Sequence, residues 1–383
     1  MKKVVIIGAN EFQNKLIKKA KELGYETHVF AWQCGDIGEK TADYFYPISI
    51  IEKDKILLEC KKIKPDAVIS IASDLASITV DYVADKLGLT CNNPNFTSIR
   101  TNKYEMRKAL KDSGIFTPEF EKVSNIENCS LKTYPLIVKP TDRSGSRAIS
   151  LVNNDEELKN AIDNAIANSF EKKAIVEEVI YGNEYSCECI SYNGKHTFLT
   201  ITKKYTTGFP KCIETGHVQP SDLNDDQIEK VKCIIFKSLD ALKIENGASH
   251  SEFKIDKDGN IKIIEIGARM GGDCIGSDLV YVSTGLDYLE MVINVGLGKE
   301  PDLKQKKEKE IAMIKFIFSQ NDIDKMQKII EEYRENIYYI SKINKIEHEV
   351  IDSSSRYGFY IMKFDDNEAF EKVKKEVLLW KFP

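Results

Sequence analysis

Hydrophobic periodicity divides the chain into short elements before any chemistry is considered. Residues 4–7 form a brief apolar run, Gly8-Ala9-Asn10 a turn, and over residues 11–23 the apolar positions Phe12, Leu16, Ile17, Ala20 and Leu23 recur at helical spacing. Gly24 stops that helix and residues 27–31 read as the next strand, which makes a β-α-β unit and predicts a parallel sheet. A helix over 56–63, a strand over 67–71 and a helix over 73–87 continue the alternation. Open α/β sheets collect ligands at the carboxyl ends of their strands, here the loop 8–12 and the pair Ser73-Asp74, although an Asp in that setting reads first as a helix cap. Asn93-Pro94 interrupts the pattern, so a first α/β domain is expected over 1–93.

Beyond it the elements are mixed. A basic helix over 102–113 carries Lys103, Arg107 and Lys108 and reads as a solvated face. Strands at 134–140 and 149–152 flank the Gly/Ser loop 141–148. They are followed by an amphipathic helix over 155–168 and strands at 174–178 and 185–191. Residues 205–220 read as loop-rich, and Met270-Gly271-Gly272-Asp273 as a turn before a helix over 286–295. The Lys/Glu run 304–310 reads as a solvated linker to a small α+β module, with strands at 311–319 and 356–364 and helices at 322–333 and 367–379. Asp258-Gly259 signals a two-residue hairpin. Counting outward from it sets Lys257 against Asn260, Ile255 against Lys262 and Glu252 against Glu265.

Composition narrows the classes. The chain of 383 residues has a formal net charge of -5, which argues against nucleic acid as a partner. No apolar run approaches the roughly 20 residues that span a bilayer, and the opening M-K-K-V-V-I-I-G is too short for a signal peptide. Nine scattered cysteines without paired spacing predict reduced thiols and a cytoplasmic location, with Cys187 and Cys189 in the core. Gly8 lacks the later glycines of a dinucleotide fingerprint, which argues against a NAD site.

Four features carry candidate chemistry. Glu252 and Glu265 in cross-strand opposition repel unless they splay into water or share a divalent cation, and Arg269 follows four residues on as a fixed charge for a phosphate. Lys139-Pro140 ends a buried strand on a charge that needs a partner. The loop around Ser144, Gly145, Ser146 and Arg147 is either a plain hairpin tip or a phosphate-covering lid. His217 and His250 are either substrate contacts or buried structural histidines, Gly271 and Gly272 offer backbone N–H groups to a carboxylate, and Lys204 and Lys211 add positive charge.

Taken in order, Asn102-Lys103, Val138-Lys139-Pro140, Ser144 to Arg147, Glu177-Glu178 through Gly182-x-Glu184, Glu252-Phe253 and Glu265-x-x-x-Arg269 resemble the ATP-grasp superfamily. The likeness is to its carboxylate-amine ligases, such as L-amino acid ligases, phosphoribosylaminoimidazole carboxylase ATPase subunits and biotin carboxylase-like ligases. It runs over roughly the whole chain. The fold it implies combines α/β and α+β parts: an N-terminal parallel-sheet domain (1–93), an ATP-grasp central domain (94–305) with a lid subdomain at about 120–182, and a C-terminal α+β subdomain (306–383).

The resemblance further implies that Lys103 and Lys139 contact ATP phosphates, with Lys139 also near the adenine and acting in catalysis. Ser144, Gly145, Ser146 and Arg147 would be the lid; Glu177, Glu178 and Val179 the hinge that reads the adenine edge; Glu184 the ribose partner. Glu252 and Glu265 would hold magnesium, or manganese in its place, and Arg269 the transferred phosphate. His217, His250, Gly271 and Gly272 face the acyl substrate. The implied reaction joins a small-molecule carboxylate to an amine through an acyl phosphate, with a homodimer as assembly. A purine-biosynthesis or carbamoyl-phosphate type of ligase shares the layout, although the second half and biotin-carrier motif of relatives are not seen. One departure stands out: Gly267 replaces the asparagine usual two residues after the second magnesium glutamate. It either weakens a second metal site or leaves room for substrate, and it is the one feature that points to a non-catalytic ATP-binding protein.

Overall fold

The computed structural model describes residues 1–383 except 144, 146, 210 and 379–383. Its strands fall into three sheets in chain order. β1 (Lys3–Ile7), β2 (Glu26–Phe30), β3 (Tyr44–Tyr46) and β4 (Ala67–Ile69) form a parallel sheet in the order β3-β2-β1-β4. Helix Glu11–Glu22 starts where Asn10 accepts the N–H groups of Phe12 and Gln13, and it lays Leu16, Ile17 and Ala20 on one face of the sheet. Val292 and Val295 of helix Tyr288–Gly296, far along the chain, complete that layer and lock the first domain onto the rest. Helices Lys53–Ile63 and Asp74–Lys86 cover the other face.

The second sheet contains β5 (Phe120–Val123), β6 (Leu136–Pro140), β7 (Ser150–Val152) and β8 (Ala174–Glu178), all antiparallel, in the order β5-β8-β6-β7. Helix Asp155–Asn168 packs Leu158, Ala161, Ile162 and Ala165 against Leu136, Val138 and Val176.

The third sheet has eight strands: β9 (Asn183–Tyr192), β10 (Lys195–Thr206), β11 (Glu214–Gln219), β12 (Gly247–Ile255), β13 (Ile261–Gly267), β14 (Ile311–Phe316), β15 (Ile337–Ile340) and β16 (Phe359–Phe364). Their order is β13-β12-β9-β10-β11-β14-β16-β15, so the strands of the C-terminal module extend the central sheet. Helix Asp225–Ala241 covers one face through Val231, Ile235 and Leu239. Among the described residues no helix is long and apolar enough to cross a membrane, and all nine cysteines are free thiols, Cys187 and Cys189 fully buried.

Three expectations change. Residues 214–219, expected in a loop, are strand β11, because their polar side chains find buried partners: Gln219 donates to Thr202 at 2.7 Å and accepts from Ser283 at 2.9 Å. The segment after Met270 is helical over Ile275–Leu279 and Val280–Thr284 rather than a plain turn. The hairpin tip is a loop of residues 256–260 in which the Asp256 carboxylate accepts the N–H groups of Asp258 and Asn260, at 3.0 and 2.9 Å. Ile255 therefore faces Ile261, one residue out of the predicted register. A bulge between Glu252 and Phe253 takes up the extra residue and restores Glu252 opposite Glu265.

Candidate active site

A cleft opens between the second and third sheets and gathers most of the residues singled out in the sequence, but not His217, Gly271, Gly272 or Lys211. At one end Lys139, from the last turn of β6, and Arg107, from helix Lys103–Asp112, share one carboxylate. Lys139 Nζ lies 2.5 Å from Glu177 Oε2, and Arg107 Nε donates to Glu177 Oε1 at 2.6 Å. All three are buried. Burial alone would raise the Glu177 carboxyl, but Arg107 and Lys139 outweigh it and hold the group down at about 2. Burial pushes the Lys139 ammonium below its ordinary value, and Glu177 restores only part of the loss. The Glu177 side chain is thus committed to cations and cannot itself read a ligand edge. Its exposed neighbour Glu178 accepts the Glu119 N–H at 3.1 Å and, with Ile180, lines the cleft, Val179 lying between them. Ile137, Ile149, Ile180 and Ile264 supply an apolar slot between the sheets. Gly145 and Arg147 overhang it, while Ser144 and Ser146 lie outside the described residues.

At the other end the acids gather. Lys103 donates to Glu265 Oε1 at 2.5 Å and to the Arg143 carbonyl at 2.8 Å. Lys204 is the centre of an acidic cage, 2.5 Å from Glu252, 3.2 Å from Glu184 and 3.7 Å from Glu214. Burial works against its charge, and the three carboxylates overcome that and raise its pKa well above the usual value. Glu252 is held well below the carboxylate range by Lys204 and His250 despite its burial. Glu252 and Glu265 thus stand opposite each other, each paired with a lysine. Among the described residues no third His, Cys, Asp or Glu completes a metal-binding group with them. Two hard carboxylate donors fit magnesium that arrives with phosphate oxygens and waters, and they do not form an all-protein cage.

His250 is wedged between Glu188, its partner across β9 and β12, and Glu252, whose Oε1 lies 3.3 Å from Nε2. Burial would lower its pKa, but the two carboxylates outweigh burial and raise it to about 9. Glu188 also accepts the Gly271 N–H at 3.0 Å. That N–H is spent inside the protein, contrary to the expectation that it meets a substrate carboxylate. A Cβ on Gly271 would sit 2.8 Å from both Glu188 Oε1 and His250 Nδ1, so only glycine fits. Gly272 has room around it, its nearest neighbour the Ala72 Cβ at 3.8 Å. His217 is fully buried, both ring nitrogens lack a hydrogen-bond partner, and burial lowers its pKa; Asp273 Oδ2 lies 3.7 Å away. Asp273 is gripped by both terminal nitrogens of Arg356, at 2.9 and 2.6 Å, and Arg356 stacks over Phe316. Lys211 pairs with Glu349 near the surface and takes no part in the cleft.

Arg269 lines the cleft beside Gly267 and forks onto Asp74 of the first domain, Nε to Oδ1 at 2.8 Å and the second nitrogen to Oδ2 at 3.1 Å. Asp74 is not the helix cap expected of it, since Ser73 Oγ accepts the Ala76 N–H in that role. Sequence reasoning also passed over Arg107 as solvated and left Glu188, Glu214 and the isoleucine slot unremarked. The slot had a signal: in β6 Ile137 is apolar on the face opposite Leu136 and Val138, beside Lys139 on its own face.

Residues 132–278 match the family model of the ATP-grasp domain. Over that stretch the chain is similar to ATP-grasp domains. Over its whole length the fold is similar to that of the L-amino acid ligase from Bacillus licheniformis, which superposes with a TM-score of 0.83 at 21% identity, over 98% of this chain and 97% of that one. Among curated relatives, the formate-dependent phosphoribosylglycinamide formyltransferase of Prochlorococcus marinus (strain MIT 9515) is 27% identical over 256 residues, 63% of this chain and 63% of its own length. The alanine–anticapsin ligase of Bacillus subtilis is 28% identical over 246 residues, 57% of this chain and 52% of its own. The chain thus spans between half and two thirds of the length of those two relatives.

Proposed function

We propose that the protein is a cytoplasmic, ATP-dependent carboxylate-amine ligase that forms an amide or peptide bond between two small molecules. The observation that carries this reading is the polarity of one cleft: cations on Glu177 and an isoleucine slot at one end, opposed Glu252 and Glu265 with Arg269 at the other. Adenine lies in the slot against the backbone of Glu177 to Val179, the ribose hydroxyls meet Glu184, and Lys103, Lys139 and the 144–147 loop take the phosphates. Glu252 and Glu265 hold magnesium, which neutralises phosphate charge when bound.

A substrate carboxylate oxygen attacks the terminal phosphorus and the bond to ADP breaks, leaving an acyl phosphate. An amine nitrogen then attacks the acyl carbon, phosphate departs with its electron pair, and the nitrogen gives up a proton. Lys139 and Arg269 hold the transferring group and oppose its charge, so positioning and electrostatics supply the catalysis. His250, His217 and Gly272 border the acyl substrate. The test is a phosphate-release screen over amino acids and small carboxylates, with and without amines. ADP release that requires a carboxylate supports the reading. ATP binding by calorimetry with no turnover for any pair would instead identify a non-catalytic nucleotide-binding protein.

A further inference from the structure

We infer that Asp74, on the first domain, is a positioning residue for Arg269, and that Gly267 is the space this pairing requires. The inference rests on the reading of Arg269 as the cation that meets the transferred phosphoryl group. Three independent features converge on it. The fork uses both Asp74 oxygens and two Arg269 nitrogens, with both side chains about one-fifth exposed, a bidentate geometry that fixes the plane of the guanidinium as well as its place.

The backbones are clasped beside it. Ala72 N–H donates to the Met270 carbonyl at 3.3 Å, Ala72 sits in the left-handed region at φ 57°, and the preceding Ile71 carbonyl is held by Gln13 Nε2 at 2.8 Å. Such a conformation persists in a non-glycine residue only when its surroundings enforce it. The third feature is negative space. A Cβ at 267 would lie 2.9 Å from Asp74 Oδ1 and 3.2 Å from Arg269 Cζ, so any side chain there pushes the pair apart. Gly267 is therefore neither a vacancy for substrate nor a missing ligand; its room is filled by the first domain.

The need for a clamp follows from the neighbours. Glu252 and Glu265 both act electrostatically on Arg269, and each is a carboxylate the guanidinium could seize. Asp74 satisfies Nε and one terminal nitrogen, and the Met270 carbonyl takes a weak contact at 3.4 Å. Donors remain on the terminal nitrogens for an incoming oxyanion, while the magnesium carboxylates stay clear. Loss of Asp74 releases Arg269 onto Glu252 and Glu265, which costs both orientation and metal affinity.

Steady-state kinetics and calorimetric magnesium binding in the presence of ADP test this on the full chain. Asp74→Asn is expected to lower kcat by about 10–100-fold, the range seen when supporting partners of a site are removed, with KM for ATP changed less than about threefold. Magnesium affinity falls by several-fold and returns when Arg269→Ala is added. Asp74→Glu, which keeps the fork one methylene longer, recovers part of the rate. Gly267→Ala reproduces the loss, and combining it with Asp74→Asn costs no more than the larger single change, because both act on one pair. A purely structural role would lower the melting temperature and leave kcat per folded molecule intact. Unchanged kcat and magnesium affinity in Asp74→Asn, or additive losses in the double variant, overturn the inference. Absence of carboxylate-dependent ADP release by the wild type overturns the ligase reading instead. The magnesium measurement then still decides the clamp.

Discussion

The two ends of the cleft are built in opposite ways. At the end proposed for adenine and phosphate, two buried cations share a single carboxylate, all from elements that lie close together in the chain: helix Lys103–Asp112, β6 and β8. At the end proposed for the metal, carboxylates outnumber cations, with Glu184, Glu214 and Glu252 around one lysine, and the residues come from distant segments. Each end carries an excess of one sign of charge, held on internal partners. The comparison teaches that the two ends of one cleft differ in the sign of their uncompensated charge, a difference that acts on a charged ligand before any specific contact forms.

The contrast can be broken from either side. Removing the charge of Arg269 strikes the metal end hardest: Arg269→Ala is expected to lower kcat by about 10³-fold, in line with loss of a transition-state cation, with the fold retained by circular dichroism. Glu177→Gln breaks the opposite end through stability. It leaves Arg107 and Lys139 buried without a counter-charge, a defect of about 3–5 kcal/mol by denaturant titration. Its pH signature has a definite sign. The Glu177 carboxyl is depressed to about 2, so its stabilisation is present above the ordinary carboxylate pKa of about 4.3 and is lost as pH falls toward 2; the variant lacks that acid limb. Lys204→Met tests the excess of acid directly. With the cage unneutralised, magnesium binding in the absence of nucleotide should strengthen about tenfold, the scale of one lost charge-assisted bond. The smallest effect belongs to the overhanging loop, where Arg147 is exposed: Arg147→Ala should raise KM for ATP only about two- to fivefold and leave the melting temperature unchanged.

The same contrast explains what the sequence disclosed. The nucleotide end is legible because its residues punctuate strands: Lys139 before Pro140, Glu177-Glu178 at the end of β8. The opposition of Glu252 and Glu265 was found as well, but along a wrong path, since the unforeseen tip loop and the unforeseen bulge shift the register by one residue in opposite senses. The rest of the metal end leaves no local trace. Asp74 meets Arg269 across 195 positions and Arg356 meets Asp273 across 83, separations at which no spacing rule operates. Arg107 looked solvated because a helix periodicity reports which face is apolar and cannot tell that a polar face is buried against a carboxylate. β11 escaped for a related reason: its Thr215, His217 and Gln219 are buried polar residues, and alternation rules read such a segment as loop.

The central claim is that ATP activates a carboxylate in this cleft, and the transfer of a heavy oxygen label tests it most directly. With a productive carboxylate carrying the label in both oxygens, MgATP and the amine acceptor, mass spectrometry of the released phosphate should show one labelled oxygen per phosphate, carried from the carboxylate through the acyl phosphate. Phosphate released without label, at the same rate with and without the carboxylate, would mean that water is the acceptor and would contradict the account.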